Sequence, residues 1–170
     1  MIKIREATSN DFQTIQQIAH QTWPDTFGSI LSKEQIAYML DWMYSIPSLE
    51  EQITQKSHTF LLAEEEDTTF GYISYQLNYT NQPKVKIHKI YILPSSQGKG
   101  VGKALFTQVE AIARSHSQQT LSLNVNRQNP AVQFYERIGF HVTGQENIDI
   151  GNGFLMEDYI MEKSLEPALA

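Results

Sequence analysis

Apolar positions change period several times along this chain, and each change marks a different element. Ile2-Lys3-Ile4-Arg5 alternates as a half-buried strand does; after the polar Ser9-Asn10-Asp11, Phe12, Ile15, Ile18, Ala19 and Trp23 recur at helical spacing. Pro24 is expected to close that helix. Ser32 with Gln35 reads as a capping box, and Ile36, Met39, Leu40 and Met43 lay an apolar stripe along a second helix that should end before Pro47. A short third helix is expected over residues 49–53. Residues 59–64 and 70–77 are β-rich runs joined by the polar Glu65-Glu66-Asp67-Thr68, the signature of a hairpin, and a longer strand follows over 84–93.

Beyond that strand lies Gln97-Gly98-Lys99-Gly100-Val101-Gly102, and then a helix carrying Val101, Leu105, Val109 and Ile112 at turn spacing. Glycines at alternate positions let the chain turn and let a ligand reach main-chain N–H groups, while the helix start presents its positive dipole end to the same place. That combination suits a pyrophosphate. A P-loop needs Lys followed by Ser or Thr, yet Lys99 precedes Gly100 and Lys103 precedes Ala104. The dinucleotide fingerprint needs G-x-G-x-x-G, and here the glycines run G-x-G-x-G. A nucleotide triphosphatase and a nicotinamide dehydrogenase are both disfavoured.

A strand over 120–125 completes a β–loop–α–β unit, for which parallel pairing is expected. Asn129 and Pro130 look like a helix cap and first residue, Gly139 like a C-cap, and Gly151-Asn152-Gly153 like a turn between two final strands. The pattern is α/β: one mixed sheet with helices on its faces, read as a single domain over residues 1–170.

Composition narrows the chemistry. A chain of 170 residues with net charge −6 argues against nucleic acid as a general partner and fits a cationic ligand better. It has no apolar run of membrane-spanning length and no secretory signal, so a cytoplasmic location without membrane association is expected. With 0 cysteines, neither thiolate metal sites nor an acyl-cysteine intermediate are available. His20, His58, His116 and His141 show no ligand spacing, so no metal is expected.

Gln97, Gly100 and Gly102 form a Gln-x-x-Gly-x-Gly motif directly after a strand, which resembles the acetyl-CoA signature of the GNAT N-acetyltransferases. A second segment, Asn129-Pro130-Ala131-Val132-Gln133-Phe134-Tyr135-Glu136-Arg137-Ile138-Gly139-Phe140, is similar to that family's Asn-x-x-Ala-x-x-Phe-Tyr-x-x-x-Gly-Phe element. The likeness covers nearly the whole chain. Around Thr22-Trp23-Pro24-Asp25-Thr26-Phe27 it is most similar to the PaiA-type polyamine acetyltransferases. The resemblance implies the GNAT fold, whose two central strands splay apart to admit acetyl-CoA. Relatives are often homodimers, so a homodimer is one state it allows, although no segment marks an interface.

It also implies roles for particular residues. Main-chain N–H groups of Gln97, Gly98, Lys99, Gly100, Val101 and Gly102 would bind the pyrophosphate, with Lys99 and Lys103 adding charge or simply lying in solvent at the helix start. Main chain at Ile90, Tyr91 and Ile92 would hold the pantetheine arm, and Asn129 and Asn124 would meet the cofactor nearby. Tyr135 matches the family tyrosine that returns a proton to the leaving thiolate. The glutamate that many relatives carry on the preceding strand is missing from Lys84-Val85-Lys86-Ile87-His88, leaving His88, Glu34, Asp25 or a water relay as the base. Trp23, Phe27, Tyr38 and Trp42 with Asp25, Glu34, Asp41, Glu50 and Glu51 suit an alkylammonium chain, or an amphipathic helix pair with a charged outer face.

The expected activity is direct acetyl transfer from acetyl-CoA to a primary amine, a small amine or polyamine before a protein N-terminus. A non-catalytic acetyl-CoA sensor is the rival reading.

Overall fold

The computed structural model describes residues 1–165. Seven strands, β1 (Lys3–Glu6), β2 (Thr59–Glu65), β3 (Thr68–Gln76), β4 (Lys84–Ile92), β5 (Thr120–Asn126), β6 (His141–Asp149) and β7 (Leu155–Ser164), form one mixed sheet. Their order is β1-β2-β3-β4-β5-β7-β6. The helices are α1 (Phe12–Phe27), α2 (Lys33–Tyr44), α3 (Ile46–Thr54), α4 (Val101–Ser115) and α5 (Ala131–Arg137). The described residues form two compact units, Met1–Tyr75 with Lys89–Gln108, and Gln76–His88 with residues 109–165.

In the first unit, α1 does not stop at Pro24. The proline sits inside the helix, which runs on to Phe27 and closes with the Gly28 N–H donating to the Pro24 carbonyl at 2.8 Å. Proline removes one backbone donor. Burial of Trp23 and Phe27, whose ring centroids lie 4.6 Å apart, offsets that loss by fixing the last turn in the core. Pro47 likewise lies in the first turn of α3, where a missing N–H costs little, so α3 begins at Ile46 and its cap is Ser45, whose Oγ accepts from the Ser48 N–H at 3.2 Å. Ser32 caps α2 as expected, accepting from the Gln35 N–H at 3.1 Å.

An aromatic cluster lies beneath the end of β4. Tyr91 is 5.9 Å from both Trp23 and Tyr72, and Tyr72 donates to the Tyr44 hydroxyl at 2.7 Å. Beside it Lys89, only 6% exposed, donates to Gln52 Oε1 at 2.7 Å and lies over the rings of Tyr44 and Phe60. Gln52 is itself held, its amide nitrogen donating to the Met43 carbonyl at 2.8 Å. Burial, and then the charge of Lys56, push the Lys89 ammonium down to about 8. At Gly71 on β3 an added Cβ would sit 2.5 Å from the Tyr91 carbonyl oxygen, so glycine is what lets β3 lie against β4 there.

In the second unit, β4 and β5 pair in parallel, as expected, over 84–87 with 120–123. The mixed strand order is that of the α/β sheet the resemblance implies. β5 pairs with β7 along its full length, Thr120 opposite Ser164 through Asn126 opposite Asp158. Lys84 and Glu162 form an ion pair at 2.7 Å. The turn before β7 is confirmed, with Gly151, Asn152 and Gly153 all at positive φ.

The buried ammonium of Lys89 sets a stability prediction. Its folded-state pKa lies below the unfolded value of about 10.4, so the unfolded chain binds more protons between about pH 8 and 10.4. Over that window, stability measured by chemical denaturation should rise in the wild type relative to Lys89→Met, by about 3 kcal/mol at most. At pH 7, Gln52→Leu should be less stable than wild type, because it leaves the ammonium buried without its acceptor. A pH-independent wild-type minus Lys89→Met difference would overturn the assignment.

Candidate active site

The first unit holds the main-chain part of the expected cofactor site. A short 3-10 turn over Pro94–Ser96 carries the chain from β4 to the glycine loop. There Gly98 and Gly100 have φ of 84° and 78°, the left-handed region that favours glycine, and a Cβ on either would meet nothing within 4 Å. The loop is bent and bare, and α4 starts at Val101, so the N–H groups of its first turn have no partner inside the helix. This is a cradle shaped for an anion. Lys99 and Lys103 are exposed, Lys99 lying 5.5 Å from the Phe70 ring centroid, so both remain solvated at the loop. Ile90, Tyr91 and Ile92 are half-buried. The Leu93 N–H donates to the Phe70 carbonyl at 2.9 Å, which anchors β4 to β3 just before the loop.

His88, Asn124, Asn129 and Tyr135 belong to the second unit. His88 places Nε2 3.0 Å from Gln76 Oε1 and its ring against Tyr79, so its free base form would carry the lone pair on Nδ1. The N-cap of α5 is Pro130, one residue later than expected, and Asn129 lies just before it with its Oδ1 accepting from the Ala131 N–H at 2.9 Å, a bond that uses the oxygen and not the side-chain nitrogen. Tyr135 on α5 is 7% exposed and stacks edge-on against Phe134 and Phe140. Burial pushes its phenol well above 10, so it stays protonated at any physiological pH.

Asn124 is placed differently from its expected role. Its Oδ1 accepts from the Lys86 ammonium, and its nitrogen donates to Glu146 Oε1 at 2.9 Å, so both ends of the amide serve protein contacts. These contacts lead to a residue that the sequence reading missed. Asp158 on β7 lies opposite Asn126 on one side and Glu146 on the other, and is 5% exposed. Its Oδ1 has no hydrogen-bond partner. Burial raises the carboxyl above the usual aspartate range, against the Asn124 hydrogen bond and the charge of Lys86. The signal was there: Met156, Asp158 and Ile160 share one phase of the strand alternation, so an acid occupies an inward position.

Of the two readings of the stretch from Trp23 to Glu51, the structure shows the amphipathic helix pair with a charged outer face. Trp23 and Phe27 turn into the core, whereas Tyr38 and Trp42 are 42% and 56% exposed on α2, with Asp25, Glu34, Asp41, Glu50 and Glu51 also at the surface. Helical periodicity sorted these side chains onto opposite faces. A groove of about 420 Å³ remains between α1 and α2, lined by Pro24, Ile36, Ala37 and Leu40 with His20 and Asp41 at its rim. Among the described residues no group of three or more acidic or histidine side chains could hold a metal ion.

The chain is similar in sequence and fold to known proteins. The chain is 28% identical over 170 residues to a spermidine N(1)-acetyltransferase of Thermoplasma acidophilum, covering 97% of this chain and 98% of that protein. The crystal structure of PaiA N-acetyltransferase from the same organism, in complex with coenzyme A, superposes with a TM-score of 0.82 at 29% identity over 96% of this chain and 99% of the other. A GNAT protein of Rhodopseudomonas palustris shares the fold, with a TM-score of 0.79 at 18% identity over 95% and 94% of the two chains. The model of the GNAT acetyltransferase domain matches residues 29–163. The chain belongs to the GNAT family of acetyltransferases.

Proposed function

We propose that this protein transfers acetyl directly from acetyl-CoA to a primary amine, with a small amine or polyamine as the favoured acceptor. The observation that carries the reading is the loop of residues 97–100, bare and held at positive φ by Gly98 and Gly100, in front of the first turn of α4. It fits a pyrophosphate by main-chain donors and helix dipole alone. The likeness to a spermidine N(1)-acetyltransferase over nearly the whole chain supports a polyamine acceptor. The chain's net charge of −6 agrees with a cationic one.

Acetyl-CoA supplies the thioester carbonyl when bound. The main chain at Ile90, Tyr91 and Ile92 would orient the pantetheine arm, with one N–H donating to the carbonyl oxygen as negative charge develops on it. Asn129 would offer its side-chain nitrogen to the cofactor, and Tyr135 would give its phenolic proton to the departing thiolate. His88 is the imidazole available to take a proton from the amine. With 0 cysteines in the chain an acyl-cysteine intermediate is unavailable, and direct attack of the acceptor on the thioester is the natural route. No helix among the described residues is long and apolar enough to cross a membrane. We place the reaction in the cytoplasm, where its donor is available.

The test is CoA release against spermidine, spermine, small monoamines and peptide N-termini. Turnover with a polyamine is expected; acetyl-CoA binding without release across the panel would identify a sensor instead. Tyr135→Phe should lower kcat by about 10-fold or more while leaving acetyl-CoA affinity unchanged.

Gly100→Val should weaken acetyl-CoA binding by about 10-fold or more in calorimetry, because a β-branched residue resists φ near 78°. Undiminished affinity in that variant would remove the loop from the site.

A further inference from the structure

The second unit contains a buried acid that the proposed transfer does not use. Asp158 sits in one cross-strand row, Asn126–Asp158–Glu146, formed by β5, β7 and β6. Its side chain is almost wholly enclosed, yet Oδ1 accepts from no donor. A buried carboxylate oxygen without a donor is costly, so a protein keeps one where something else supplies the hydrogen.

Several nearby donors bond elsewhere, while Arg127 Nε is itself buried without an acceptor. The Lys86 ammonium donates to Asn124, the Asn124 nitrogen to Glu146, and Arg127 Nη2 to Asn147 Oδ1 at 2.9 Å, while Asn126 Nδ2 points to the Met156 sulfur at 3.0 Å. Among the described residues neither Glu146 nor Asp158 has an ion-pair partner within 4.0 Å. One turn of the alternation further on, Ile160 lies between Asn124 and Gly144 on the same face. Gly144 brings no side chain to the row, and Ile160 Cδ1 is 3.7 Å from where a Cβ would stand, so an apolar strip adjoins the acids.

We propose that Asp158, assisted by Glu146, is the anchor for an alkylammonium group of the acceptor, with the adjoining methylene chain lying along Ile160. The proposal rests on the amine-acetyltransferase reading and gives that reading its acceptor-binding residues. An ammonium supplies the hydrogen that Oδ1 lacks and the positive charge that two neighbouring carboxylates favour. Lys86 is then a built-in competitor: its charge partly neutralises the same carboxylates, and it is held off them by Asn124. A neutral hydroxyl would satisfy the oxygen but not the charge.

The experiment is calorimetric titration of the protein with spermidine, propylammonium and propanol, read without turnover. Expected are binding of both cations and not of propanol, a loss of spermidine affinity of about 10-fold or more in Asp158→Asn, about 3-fold in Glu146→Gln, and a gain of about 3-fold in Lys86→Met. The gain in Lys86→Met is one that a purely structural role for Asp158 would not produce. If Asp158→Asn fails to fold, the Glu146 and Lys86 variants still decide, because unchanged affinity in both overturns the proposal. Propanol binding as tightly as propylammonium, or no amine binding to the wild type, also overturns it. A polyamine acetylated with unchanged KM in folded Asp158→Asn would sink this site and leave the function standing. Spermidine bound through Asp158 with no CoA released would leave the site and sink acetyl transfer.

Discussion

Strand β4 must satisfy its backbone along its whole length, and over 84–87 the parallel ladder with β5 does so. Every N–H and C=O of a half-buried strand must find a partner, and the half-buried main chain at Ile90, Tyr91 and Ile92 carries the same obligation. The rest of the arrangement is consistent with this. Gly71 allows β3 to close on the other edge at Tyr91, the aromatic cluster fixes the strand from below, and the chain leaves β4 into a loop of bare main chain. In the proposed reaction the main chain at Ile90, Tyr91 and Ile92 hydrogen-bonds to the amide groups of a pantetheine arm much as it would to another strand.

Much of this was legible in the sequence because it is written in backbone grammar. Alternation gave the strands, turn spacing gave the helices, and Gly98, Gly100 and the run Gly151-Asn152-Gly153 announced positive φ where the structure has it. Proline was misleading at Pro24 and Pro47, because its cost depends on which donor is lost and on what the next turn buries, and tertiary burial of Phe27 decided the first case. The aromatic and acidic residues between Trp23 and Glu51 failed as one site for a related reason. Their proximity in sequence says nothing about which helical face each takes.

The residues that escaped notice are polar groups whose meaning depends on partners far along the chain. Lys89 is unremarkable on a strand until Gln52, Tyr44 and Phe60 enclose it. Asp158 becomes unusual only when Asn124, Glu146 and Lys86 are brought beside it from three other strands. Single-sequence patterns register burial by phase, so both acid and lysine were visible as charges in inward positions, but the network that makes each tolerable is a product of the folded sheet.

The two tryptophans were sorted by the same folding to opposite optical fates. Trp23 is 2% exposed, 5.9 Å from the Tyr91 ring, while Trp42 is 56% exposed on α2. An indole in the core emits at shorter wavelength than one in water, and Trp23 rests against Tyr91 of β4, where the proposed reaction seats the pantetheine arm. The protein therefore carries its own fluorophore against β4, and with Trp42 replaced by phenylalanine the emission that remains would follow that strand alone, making occupancy of its edge visible without a label.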